Sequence, residues 1–157
     1  MKKTTIIPAL LTLFALIIFN SCSSDDSASN IGNNPTPIIN AVSEGNWRIT
    51  RYEDSGVVET NQYSNYVFNF GANNVLSTTN TNTYTGFWSV TNDDNSNDDS
   101  PSNDLDFNIA FTSPAPNSFV DDLTDDWDIV SYSSTKIELI DVSGGNGGTD
   151  YLTFEKN

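Results

Sequence analysis

LDFNIAFT, residues 105–112, sets Leu105, Phe107, Ile109 and Phe111 against Asp106, Asn108, Ala110 and Thr112. Side chains of a β-strand point alternately to its two faces, so this stretch makes one buried face and one wet face. The same period of two recurs on both sides of it. Tyr66, Phe68 and Phe70 form a stripe, Gly71-Ala72-Asn73-Asn74 follows as a turn, and Val75 and Leu76 begin the return. Tyr84, Trp88 and Val90 alternate with Thr85, Phe87 and Ser89, and Gly86 marks a bend in that strand. Trp127, Ile129 and Ser131 come next, then Ile137 and Leu139, and Leu152 and Phe154 close the chain.

Eight strands are expected, over residues 46–53, 63–70, 75–80, 83–91, 105–112, 127–132, 136–142 and 150–155. Most connections between them are short, which favours antiparallel neighbours. No long amphipathic helix interrupts the pattern. Phe119–Asp126 reads as a short helical turn, with Asn117 or Ser118 as its cap and Asp121 and Asp122 near its N-terminus. The fold class is all-β: a single antiparallel eight-stranded barrel, or a β-sandwich. Periodicity does not choose between the two. A closed barrel has the advantage of leaving no exposed edge.

The N-terminus has a different composition. Lys2 and Lys3 precede an apolar run from Ile6 to Phe19, and Cys22, the single cysteine, follows. The run is shorter than the roughly 20 residues of a spanning helix, and the order of its parts is that of a secretory signal. Phe19-Asn20-Ser21-Cys22 resembles a bacterial lipobox. That resemblance implies cleavage between Ser21 and Cys22 and acyl chains on Cys22, which would hold the protein to a membrane. Ser24-Asp25-Asp26 resembles the acidic signal that sends some Bacteroidetes lipoproteins to the outer face of the outer membrane. The expected organisation is a signal peptide over 1–21, a lipid-anchored flexible tether over 22–43 and one β-domain over 44–157. The tether is rich in Ser, Asn, Asp and Pro and lacks the apolar residues to fold alone.

Composition excludes several functions. The chain carries 21 acidic and 6 basic residues, a net charge of −15. Loss of residues 1–21 removes two lysines and no acid. Such a surface repels nucleic acid, so no nucleic-acid partner is expected. It attracts cations and keeps a surface protein soluble. There is no histidine, which removes the common Ser-His-Asp and Cys-His nucleophiles and His-ligated zinc. With one cysteine, no intramolecular disulfide forms.

Gly45-Asn46-Trp47 at the first strand resembles the G-x-W signature of lipocalins. GNWRITRYE, the Phe68–Asn73 hairpin, Gly86-Phe87-Trp88, Asp126–Val130, Ile137-Glu138-Leu139 and the terminal LTFEK are similar to the lipocalin-like domains of Bacteroidetes lipoproteins. The resemblance spans residues 44–156 and implies an eight-stranded barrel that binds a small hydrophobic ligand. The family also places an arginine near the last strand, stacked over the first-strand tryptophan. Here that position falls to Lys156, through a cation–π contact.

Two acidic clusters are candidate sites. Asp93, Asn95, Asn97, Asp99 and Asp104 resemble the oxygen ligands of a calcium loop. Asp98 stands where that loop turns on glycine and Pro101 falls in its frame, so a solvated loop is the favoured reading and calcium binding the lesser one. Asp121, Asp122, Asp125, Asp126 and Asp128 hold paired carboxylates of the kind a glycosidase uses. A solvated turn is the competing reading there, and the favoured one. Trp47, Trp88 and Trp127 sit at alternation positions and read as core. The expected protein is not an enzyme and needs no cofactor; calcium is the one ion for which its acidic loop offers ligands. It binds a small hydrophobic ligand or a surface partner, and its oligomeric state is open. The alternative is a carbohydrate-binding or adhesive β-sandwich module.

Overall fold

The computed structural model describes residues 32–92, 105–143 and 147–157. Helix α1 (Thr36–Val42) leads into strand β1 (Trp47–Asp54). Then come β2 (Val57–Val58), β3 (Val67–Phe70), β4 (Val75–Thr79), β5 (Thr83–Asn92) and β6 (Leu105–Phe111). Helix α2 (Asn117–Asp121) separates β6 from β7 (Asp125–Tyr132), β8 (Lys136–Val142) and β9 (Thr149–Lys156). Every pairing is antiparallel. Strands β3 to β9 follow one another in order, and β1 pairs with both β3 and β9. The sheet therefore closes into an eight-stranded barrel with β2 as one extra strand. The barrel, and not the sandwich, is the fold.

Closure happens at one residue. Trp47 is opposite Phe68 of β3 on one side and Lys156 of β9 on the other. Gly45 brings the chain into that position with φ +81, a left-handed conformation that costs glycine little. The Trp47 ring is fully buried, its Nε1 donates to the Val42 carbonyl at 2.9 Å, and Lys156 Nζ lies 5.3 Å from the ring centroid. The lysine thus occupies the cation–π position over the first-strand tryptophan.

Two bulges break the period of two. The register shifts between Ile49 and Arg51, so Ile49 and Tyr52 are both buried although three residues apart. Arg51 is thereby turned outward, to Glu53 at 2.9 Å and over the Tyr151 ring at 4.0 Å. A second shift between Ile129 and Ser131 leaves Val130 exposed. Strand β2 arises because Ser55 (φ 49) and Gly56 (φ 86) form a two-residue hairpin turn with both φ positive.

Inside the barrel the side chains meet ring to ring. Phe70 touches Trp47, Trp88, Phe107 and Phe154, with centroids 5.3 to 6.4 Å apart. Gly86 faces inward where β6 comes close: a Cβ there would meet the Ala110 carbonyl oxygen at 2.5 Å. The two helices close the ends. Ile38 and Val42, four residues apart on α1, are buried in one core with Trp47 and Trp88. At the other end α2 inserts Phe119, which packs on Tyr63, Tyr66, Phe68, Tyr84 and Phe111.

Several expected boundaries move. The tether is expected to run through residue 43, but residues 36–42 belong to the folded unit. Pro35 and Pro37 preset the first turn, and the tertiary contact with Trp47 supplies what the local sequence lacks. Helix α2 ends at Asp121 and not Asp126, and Pro116 stands at the cap in place of Asn117 or Ser118. Residues 60–63 form a 3-10 turn with Tyr63 buried, so the strand expected from 63 begins at Val67.

Thr78 is fully buried in β4 and its hydroxyl has no hydrogen-bond partner among the described residues. An unpaired buried hydroxyl costs about 1–3 kcal/mol. Thr78→Val keeps the shape and removes the polar atom, so it is expected to stabilise the fold by about 1 kcal/mol in urea denaturation.

Candidate functional site

The charges are sorted over the barrel. Arg48 pairs with Glu155 at 3.8 Å, Arg51 with Glu53, and Lys136 with Glu138, all on the wall formed by β8, β9 and β1. Together with Lys156 over Trp47, these are all the basic residues of the chain beyond residue 3. The end plugged by α2 is acidic. Asp54, Glu59, Asp122, Asp125, Asp141 and Asp150 lie near enough to raise one another's or their neighbours' pKa values.

Three acids on that rim titrate high. Desolvation disfavours the charge of Asp122 and raises its pKa, while a hydrogen bond from Tyr63 Oη (3.0 Å) opposes the shift. Asp150 is raised in the same way, opposed by the Ser55 N–H, which donates to it at 2.8 Å. Asp125 is pushed up to about 6, by desolvation first and then by Asp126 and Asp141, although part of its surface stays exposed. Tyr63 and Tyr52 beneath the rim are raised well above the usual phenol range, mainly by burial and then by Asp122.

A carboxyl whose folded pKa lies above its unfolded value near 4 destabilises the fold once ionised. For Asp125 this cost is absent well below pH 4, grows between about 4 and 6, and is complete above about 6. Asp125→Asn is therefore expected to raise Tm at pH 7 and to flatten the Tm–pH profile between about 4 and 6. A profile as steep as that of the wild type would contradict it.

The expected site residues fall as follows. Ser21 and Cys22 lie outside the described residues, as do Asp93, Asn95, Asn97, Asp99 and Asp104. Among the described residues, no group of three or more Asp, Glu, Cys or His side chains is placed to hold a metal ion. Among these residues, too, no helix is long and apolar enough to cross a membrane. Asp125 and Asp126 are chain neighbours at the start of β7. The Asp125 carboxylate accepts the Asp126 N–H at 2.9 Å, and a side-chain hydrogen bond between the two carboxyls helps to raise the Asp125 pKa. Asp128 is opposite Asp106 on the outer face. Gly45 and Trp47 are structural: they start and close the barrel. All three tryptophans are buried; only an edge of Trp88 reaches a crevice, beside α1, among the described hollows.

Described residues line two hollows, one beside α1 at the end of the barrel and one on its outer face. A crevice of about 160 Å³ lies between α1 and the β3–β4 turn, bounded by Ile39, Asn73, Trp88 and Val90. A larger groove of about 650 Å³ runs over the outer face of β3 and β4. It is lined by Asn46, Asn65, Val67, Asn69, Ser77 and residues 79–81. Its residues come from the entry to β1, the approach to β3 and the β4–β5 turn. In sequence they are indistinguishable from any wet strand face. No family model, curated protein or solved structure matches the chain.

Proposed function

We propose that the chain is a lipid-anchored protein of the cell envelope, lipocalin-like in type, that acts without catalysis by presenting the outer wall of its barrel to a partner at the cell surface. The lysines, apolar run and Cys22 at the N-terminus support the anchor. The observation that carries the outer-wall reading is the filled interior. Phe68, Phe70, Phe107, Phe154 and the three tryptophans occupy the space where a ligand-binding barrel keeps its pocket. A small hydrophobic ligand inside the barrel would have to displace these packed rings. An eight-stranded barrel accommodates either mode of binding, and the packing favours the outer one.

Two measurements test this reading. Intact mass of the exported protein should show acyl chains that Cys22→Ala abolishes. An exported wild type without added mass would rule out the anchor. The filled interior is tested by its own tryptophans, whose fluorescence an entering ligand must perturb.

A further inference from the structure

Resting on the outer-wall reading above, we propose that the β3–β4 groove is a binding site for a neutral oligosaccharide. The first argument is charge. In a chain with 21 acids, none of the residues lining this groove is charged. An anionic glycan is disfavoured by the net charge of −15, and a cation is drawn to the acidic rim at the α2 end. A neutral ligand meets neither obstacle.

The second argument is chemistry. Asn46, Asn65, Asn69 and Asn80 bring carboxamides and Ser77 and Thr79 bring hydroxyls, and the donors and acceptors not used in their bonds to neighbouring groups remain for a ligand. Sugar hydroxyls are also donors and acceptors at once, so such a lining can satisfy them in pairs. Val67, partly exposed on the same face, supplies an apolar contact for sugar C–H groups.

The third is preorganisation, which lowers the entropic cost of binding. Asn69 Nδ2 donates to the Gly45 carbonyl at 3.0 Å and lies 3.4 Å from Asn46 Oδ1. Asn80 Oδ1 accepts the Asn82 N–H at 3.0 Å and the Thr81 hydroxyl at 3.3 Å. Thr79 Oγ1 is 3.2 Å from Thr83 Oγ1. These bonds hold Asn69, Thr79 and Asn80 in place, and Asn65 and Ser77 line the groove with them. The groove's volume of 650 Å³ lies within the roughly 300–1,000 Å³ of small-ligand sites. It is open to solvent on the outer face of the sheet.

The test uses the full chain purified in detergent. A panel of neutral and acidic oligosaccharides is screened on an array, and hits are measured by titration calorimetry. At least one neutral oligosaccharide should bind. Ser77→Arg and Thr79→Arg, both on the outer face, should each weaken it at least tenfold without lowering Tm. Val142→Arg, exposed away from the groove, should leave it unchanged. The proposal is overturned by a blank neutral panel, by a preference for acidic glycans, or by binding that both groove variants leave intact. A blank panel with tryptophan fluorescence indifferent to apolar ligands removes the groove alone. Saturable quenching by an apolar ligand removes the outer-wall reading as well.

Discussion

Phe70→Ala is expected to destabilise the protein by about 3–5 kcal/mol, the range for truncating a buried phenylalanine. Phe70 has no exposed surface and stands at the centre of the barrel, in contact with four aromatic rings from β1, β5, β6 and β9. Its loss removes apolar burial and leaves a cavity between rings held by four different strands, which cannot collapse together. Against a total stability of about 5–15 kcal/mol, that is a large fraction. At a few degrees per kcal/mol, Tm should fall by about 10–20 °C. Phe87→Ala is the control. Phe87 is 62% exposed, and its truncation should change stability by less than about 0.5 kcal/mol. Equal effects at the two positions would mean that the interior is not packed as described.

Phe119→Ala should cost a similar amount, with a different signature. Phe119 is the buried residue of a five-residue helix, too short to persist without tertiary contacts. Its ring lies 4.9 to 6.0 Å from five others and plugs one end of the barrel. Without it, α2 keeps two ties. Thr124 Oγ1 donates to the Phe119 carbonyl at 3.0 Å, and Tyr63 Oη shares its one proton between Asp122 and the Ser118 carbonyl, which lies 3.1 Å away. Loss of about 3–5 kcal/mol is therefore expected together with local opening. Amide exchange at residues 119–120 should accelerate far more than exchange in β6. Uniform acceleration across the barrel would show that Phe119 is ordinary core and not a plug.

The fold is readable wherever one face of a strand is buried without interruption. Strand β6 alternates over its whole length, and its buried residues are the four that the sequence marks. The other barrel strands are legible where their alternation is unbroken, and the contact of Lys156 with Trp47 is the one expected for a chain with no arginine near its last strand. What stays hidden depends on contacts between distant segments. Helix α1 offers one buried pair four residues apart, Ile38 and Val42, in a stretch otherwise rich in Asn and Pro. Its seat against Trp47 is a tertiary fact. The bulges after Ile49 and Ile129 exchange the faces of the residues that follow, and period-two reading has no signal for them. Strand β2 is two residues long.

The candidate site is less legible than the fold. The acids most prominent in sequence divide between residues outside those described and an exposed rim. The groove is made largely of Asn, Ser and Thr from three places in the chain. Only the closure of β1 on β3 brings Asn46 beside Asn69. An outward polar residue carries no mark in the sequence that separates a wet face from a lined groove.

The central claim is that the barrel is filled and that recognition lies outside it. Trp47, Trp88 and Trp127 are all buried in that interior, so any ligand entering it must touch the rings that report it. The decisive measurement is a tryptophan fluorescence titration of the full chain with retinoids, fatty acids and other apolar ligands. The account predicts no saturable quenching and no shift of the emission maximum. Saturable quenching by one such ligand, with a matching rise in Tm, would contradict it.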